Sequence, residues 1–291
     1  MPEFETPQPI LATIELNVGS VRIAAGARTD TVVEVRPNDR SDPRDVATAQ
    51  QAHVSFTAGE LVVSAPNPRG FALGGGAVVI DIGLPAGSRV RGDALAADFV
   101  CVGRLGECRL STDCGHIEVE QAGPLHLTSI LGNVTVAHAH GDVEALAEGG
   151  DVHIRVADAA VQLNRTKGNS EIGEARGNVR VYADSGDLHI GRAHAEVEAR
   201  ASQGDIRIDE TTRGPLVLET ASGKLEVGVA LGVPTLLDLD SHVGTVYRSL
   251  DLIVAGTSAD RPDAVRIHAH TIIGDIVVRR TSYDLDGESW P

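Results

Sequence analysis

His138 and His140 stand two residues apart, as do His268 and His270. Where a chain alternates sides as a strand, that spacing puts both imidazoles of a pair on one face. Two imidazoles on one face can share a divalent ion. No third ligand has matching spacing, so both pairs read as solvated surface, with His138 and His140 kept as metal candidates. His153, Glu171 and His189 recur one repeat apart and form a further, weaker set. A column of short polar residues also recurs: Asn133, Asp151, Asn169, Asp187 and Asp205, each directly after a glycine. Carboxylates stacked about 4.8 Å apart could hold Ca²⁺, which makes Asp187 and Asp205 the remaining metal candidates. The calcium-binding nonapeptide GGxGxDxUx supplies a fuller ligand set than one glycine and one Asx per repeat. The column is therefore read as turn formers, and no resident metal or cofactor is expected.

Other chemistry is missing from the pattern. There is no GxSxG, no HExxH and no nucleophile spaced from a base. Gly74, Gly75 and Gly76 precede no Lys or Ser/Thr at phosphate-loop spacing and read as a loop. Cys101, Cys108 and Cys114 are odd in number and fit neither a zinc pair nor a disulfide framework. They are expected as buried free thiols in a reducing cytoplasm.

The elements that position these residues come from an internal repeat. Gly115, Gly132, Gly150, Gly168, Gly186, Gly204 and Gly223 each open a unit such as GNVTVA, GDVHIR, GDLHIG or GDIRID. A second series, carrying Gly141, Gly177 and Gly214, falls midway between them. Unit follows unit every nine residues or so, and two units make a repeat of roughly 18. Within each unit apolar and polar residues alternate, as in Val179-Arg180-Val181 and Ile206-Arg207-Ile208. That is the period of a half-buried strand. No helix-length spacer separates the strands, and two-residue turns cannot join parallel neighbours. Short strands at even spacing then coil so that each stacks on its counterpart one turn away. The expectation is an all-β parallel solenoid, or β-helix. Glycine marks the corners, where positive φ is needed.

Composition agrees. Glycine is 32 of 291 residues, and Phe, Tyr and Trp together make only 3%. A thin coil has room for Val, Ile, Leu and Ala but little for rings. Few rings also disfavour a single-strand nucleic-acid binder, which stacks bases on them. The net charge of −16 argues against phosphate backbones, whose affinity comes from Lys and Arg. No apolar run is long enough for membrane insertion. Along the two outward faces, Arg180 with Glu198 and Arg207 with Glu226 stand as stacked opposite charges.

The flanks organise as follows. Residues 1–103 read as an N-terminal cap with alternating segments at 10–18, 21–23 and 31–35. A short helix near 43–54 starts at Asp42 and Pro43, with Val46, Ala49 and His53 on one face. Residues 104–231 hold the solenoid repeats. Residues 232–281 continue it, with 265–278 restoring the unit for one last turn, and 282–291 form a polar tail. The opening segment has no basic region followed by an apolar stretch, so no secretory signal is expected and the cytoplasm is the expected location.

The units SGDLHIG, QGDIRID, SGKLEVG and RGNVRVY, with IELNVGSVRI, IGLPAGSRV and the closing GDIVVRR, resemble a bacterial family of β-strand-repeat proteins. That family is a domain of unknown function labelled adhesin-like. The resemblance covers about residues 10–280 and implies a right-handed parallel β-helix without established activity. Fold alone does not give function. β-Helix enzymes that cut polysaccharides cluster Asp, Arg and Lys among large loops. This chain has two lysines, Lys167 and Lys224, and few inserted loops. The expected role is a non-enzymatic interaction or scaffold module that binds another protein or itself. End-to-end polymerisation is the second expectation and a carbohydrate-active β-helix enzyme the third.

Overall fold

The structure, a computed structural model, describes residues 2–65, 75–250 and 264–281. Among these residues are 25 strands and a single helix. The glycine run in part, the polar break at 258–263 and the tail at 282–291 lie outside the described residues. The chain divides into two compact units, Met1–Gly168 and Asn169–Pro291.

In the first unit, parallel strands stack turn on turn. Cys108–Cys114, Leu125–Leu131, Val143–Gly149 and Val161–Lys167 form one wall, so that Cys108, Leu125 and Val143 are successive neighbours. Ile117–Ala122, Val134–Ala139 and Val152–Ala157 form the other. The long strand Arg89–Arg104 pairs through its first half with one wall and through its second half with the other. Leu11–Gly26 runs parallel to it from Leu11 beside Arg89 to Ala24 beside Val102. The parallel stacking therefore reaches back to Leu11, and the segments 10–18 and 21–23 are one strand. Antiparallel pieces complete the unit: Asp30–Pro37 against Val78–Pro85, and His53–Thr57 against Glu60–Ala65.

The helix spans Pro43–Gln51 with Asp42 as its cap, as the sequence suggests. Its buried residues are Asp45 and Thr48, however, not the Val46–Ala49–His53 stripe. The Asp45 carboxylate accepts backbone N–H bonds from Asp39 (2.8 Å) and Ala77 (2.7 Å). Hydrogen bonds to a charged group outweigh the small apolar gain of a Val and an Ala.

In the second unit, Val179–Ser185, Val197–Gln203 and Leu216–Ser222 make one wall. Ser170–Ala175, Leu188–Ala193, Ile206–Thr211 and Leu225–Val229 make the other. The order in space then departs from the order in sequence. Val265–Ile273 and Ile276–Arg280 lie directly on Leu216–Ser222 and Leu225–Val229. Thr235–Val243 and Val246–Ser249 are displaced to their outer side. The matching rows differ: Val265, Ile276 and Val278 stand where the outer segment has Thr235, Val246 and Arg248. Val265, Ile267, Ala269, Ile276 and Val278 are fully enclosed, whereas Leu237 and Leu239 are only half-buried. The segment with the better inward row takes the better-covered place.

Inward positions follow the alternation throughout. Val179, Val197, Leu216, Ile190 and Ile208 are inaccessible to solvent. Among the described residues the core admits one ring: Phe99 is fully buried. Gly92 stands against it, and a β-carbon there would strike the ring. The repeat glycines divide in two. Gly204, at φ +134°, has the Gly186 carbonyl oxygen where a β-carbon would go. Gly141 and Gly177 lack positive φ, so corner conformation is not what selects glycine there. At Gly141 a β-carbon would sit 2.6 Å from the Pro124 nitrogen, so close stacking is the constraint.

Candidate functional site

The strand Val134–Ala139 buries Ala139 completely, which leaves His138 and His140 on the outward side of the chain. One turn on, Val152–Ala157 pairs with that strand, His138 lying beside Val156 and Ala139 beside Ala157. Each chain then reaches the same corner. The His140 N–H donates to the Ala122 carbonyl (2.8 Å), and the Asp158 N–H donates to the Ala139 carbonyl (2.9 Å). Asp158 thus arrives beside both histidines.

The geometry is tight. His138 Nε2 lies 2.9 Å from Asp158 Oδ2, and His140 Nδ1 lies 3.0 Å from the same oxygen. The two imidazole centroids are 4.0 Å apart, with the rings tilted by 43°. All three side chains are about a quarter to a third exposed, at 26%, 31% and 28%. The three donor atoms lie within 4.8 Å of one another. Two imidazole nitrogens and a carboxylate oxygen can share protons, or they can donate lone pairs to a divalent ion. Among the described residues this is the cluster with such a set of metal-binding groups. Asp158 escapes a search for local spacing because it comes from the next turn. The repeat does carry a signal: His140 precedes the unit starting at 141 and Asp158 precedes the one starting at 159.

The Asx column has another task. Asn133 Oδ1 accepts the Asp151 N–H at 3.0 Å. In the second unit, Asn169 accepts from Asp187 (3.0 Å), Asp187 from Asp205 (2.9 Å) and Asp205 from the Lys224 N–H (2.7 Å). These side chains tie turn to turn rather than closing local turns. Amide and carboxylate oxygens both accept, so Asn and Asp interchange along the column. Asp187 and Asp205 each commit one oxygen to this ladder.

The other candidate histidines reach carboxylates elsewhere. His268 meets Asp238 at 2.9 Å and His270 meets Asp240 at 3.1 Å, all on exposed surface. His189 reaches Asp209 at 2.7 Å, and Arg207 reaches it at 2.6 Å. Burial works to raise the Asp209 pKa, but the hydrogen bonds from His189 and Arg207 hold it below the ordinary carboxylate value. Glu171 stands beside His189 in its wall, and His153 beside Thr135.

Of the stacked charges, Arg180 and Glu198 form an ion pair at 3.5 Å. Arg207 turns to Asp209 instead of Glu226, and Glu226 takes Lys224 (2.8 Å) and Arg279 (3.3 Å). The three thiols are free, and Cys101 and Cys108 are buried as expected, but Cys114 is exposed at the end of its strand. Burial pushes the Cys101 thiol well above its ordinary pKa and that of Cys108 up to about 12. Inside the first unit, Arg165 occupies an inward position beside Ala147 and is 5% exposed, a buried arginine that the alternation does not foretell.

No helix among the described residues is long and apolar enough to cross a membrane. No curated protein matches the chain. Several solved structures do, at low identity. A candidate adhesin from Bacteroides fragilis is 13% identical, with 96% of this chain and 95% of that one covered and a TM-score of 0.37. A candidate adhesin from Parabacteroides merdae is 10% identical, with 97% and 96% covered and a TM-score of 0.34. A candidate lipid-binding protein from Parabacteroides distasonis is 12% identical, with 97% and 96% covered and a TM-score of 0.33. The family model of the Toastrack domain of unknown function, DUF4097, matches residues 12–233. Stacked parallel turns and a match over most of the length agree: the chain belongs to the Toastrack DUF4097 family.

Proposed function

We propose that the protein is a non-enzymatic, adhesin-like scaffold whose stiff walls present side chains to a protein partner or to a second copy. One observation carries this reading: polar groups of one turn are committed to the next. The Asx ladder does so at the corner, and Arg180–Glu198 and His189–Asp209 do so on the walls. Such cross-ties hold the outward side chains in place before any partner arrives, which lowers the entropy lost on binding. The outward residues change from turn to turn, as in His189, Arg207 and Glu226. A varied surface suits one macromolecular partner rather than a repetitive polymer. The net charge of −16 supports a partner other than nucleic acid. Three free thiols support a reducing compartment, and we place the protein in the cytoplasm.

Cross-linking and affinity capture from cell extract, alongside light scattering of the purified chain, test the proposal. A reproducible partner or a defined oligomer is expected. A clean monomer that recovers no reproducible partner would overturn it.

One feature favours a second reading, end-to-end assembly. Among the described residues, Thr235–Val243 pairs with a strand on one side only. An unpaired edge is a template for another chain. Filaments at high concentration in electron micrographs would support that reading, and their absence would dispose of it.

A further inference from the structure

We propose that His138, His140 and Asp158 form a binding site for a zinc-class divalent ion. The inference does not depend on the scaffold reading. It rests on three side chains delivered by two successive turns to one point on the surface of the first unit. Their donor atoms are His138 Nε2, His140 Nδ1 and Asp158 Oδ2, with 2.9 Å and 3.0 Å separating each nitrogen from the oxygen. Two ligand atoms on a tetrahedral ion with bonds of about 2.0 Å lie about 3.3 Å apart. A few tenths of an ångström of opening at each contact therefore makes room for the ion. The side chains sit at a corner and are partly exposed, so that movement disturbs no core packing.

The donor set selects the ion. Ca²⁺ and Mg²⁺ want six or more oxygen ligands, and this cluster supplies one carboxylate. Imidazole nitrogen with carboxylate oxygen suits Zn²⁺, Co²⁺, Ni²⁺ and Cu²⁺. Three protein ligands leave a fourth position open to solvent. A water molecule or a side chain of another molecule can fill it. Binding needs the lone pairs on His138 Nε2 and His140 Nδ1, so protons compete with the ion.

Two other clusters lack this convergence. His268 and His270 are bound to different carboxylates, Asp238 and Asp240. Asp187 and Asp205 lie in the backbone ladder. They provide the controls.

The test uses the full chain after chelator treatment, titrated with Co²⁺ as an optical probe and then with Zn²⁺. Expected is one Co²⁺ per chain with visible d–d bands of a four-coordinate site, displaced by Zn²⁺. His138→Ala and Asp158→Asn should each weaken binding by about tenfold or more. His268→Ala should leave it unchanged. Far-UV circular dichroism checks that each variant is folded. Asp158→Asn keeps size and shape, so it still answers if His138→Ala folds poorly. Absence of the bands in the wild-type chain would overturn the proposal. So would equal binding by the wild type and Asp158→Asn.

Discussion

Asp187 Oδ1 accepts a hydrogen bond from the backbone N–H of Asp205 at 2.9 Å, across one turn of the coil and 18 residues of chain. Asp205 repeats the arrangement with the Lys224 N–H at 2.7 Å. The corner column is thus a structural ladder in which each turn satisfies a donor of the next. Asp187→Ala should lower stability by about 1 kcal/mol, the net worth of one hydrogen bond. Asp187→Asn should be nearly neutral, because Asn169 fills the same role for the Asp187 N–H. Urea unfolding midpoints separate the two. Equal losses would mean that charge, not the accepting oxygen, is what matters.

The inward and outward rows can be tested by neighbours. Val179 is fully buried, while Arg180 faces out against Glu198. Val179→Asp should cost several kcal/mol, since it buries a carboxylate without a partner. Arg180→Asp should cost about 1 kcal/mol at most, as expected of an exposed pair. Chemical denaturation of both variants reads the difference.

Thiol reactivity should follow burial. Cys114 is exposed, and Cys101 and Cys108 are buried with raised pKa values. A thiol-specific reagent should label Cys114 alone in the native chain at neutral pH, because the thiolate is the reactive form. All three cysteines should react after unfolding. Mass spectrometry of the labelled peptides makes the assignment.

Acid should weaken the second unit through Asp209. Its folded pKa lies below the ordinary 3.8, so folding is favoured while the carboxylate stays charged. That contribution is present in full above the unfolded pKa and is lost as pH falls from there through the folded value. Asp209→Asn should flatten the acid limb of a melting-temperature profile between about pH 5 and 2. At pH 7 it should lower the melting temperature slightly.

Much of this architecture is legible in the chain. Alternation in units such as 188–190 and 206–208 reports which side chains are buried, because a strand turns its residues to opposite faces. Even the helix start at Asp42–Pro43 is a local matter of capping. The helix face is not: Asp45 is buried because Asp39 and Ala77 bring N–H groups to it. The ring of Phe99 is tolerated because Gly92 stands opposite, which composition alone does not reveal. For the candidate site, His138 and His140 are visible as a pair, and their shared partner is not.

The sequence by itself determined the strands, the coil, the glycine register and hence the family. These depend on contacts that repeat at short, regular intervals. Only the tertiary structure decided which turn lies on which. It set 265–280 between strands that precede it in the chain, since the more apolar segment gains more from cover. It also brought Asp158 to His138 and His140, because adjacency across turns depends on pairing between strands that are distant in sequence.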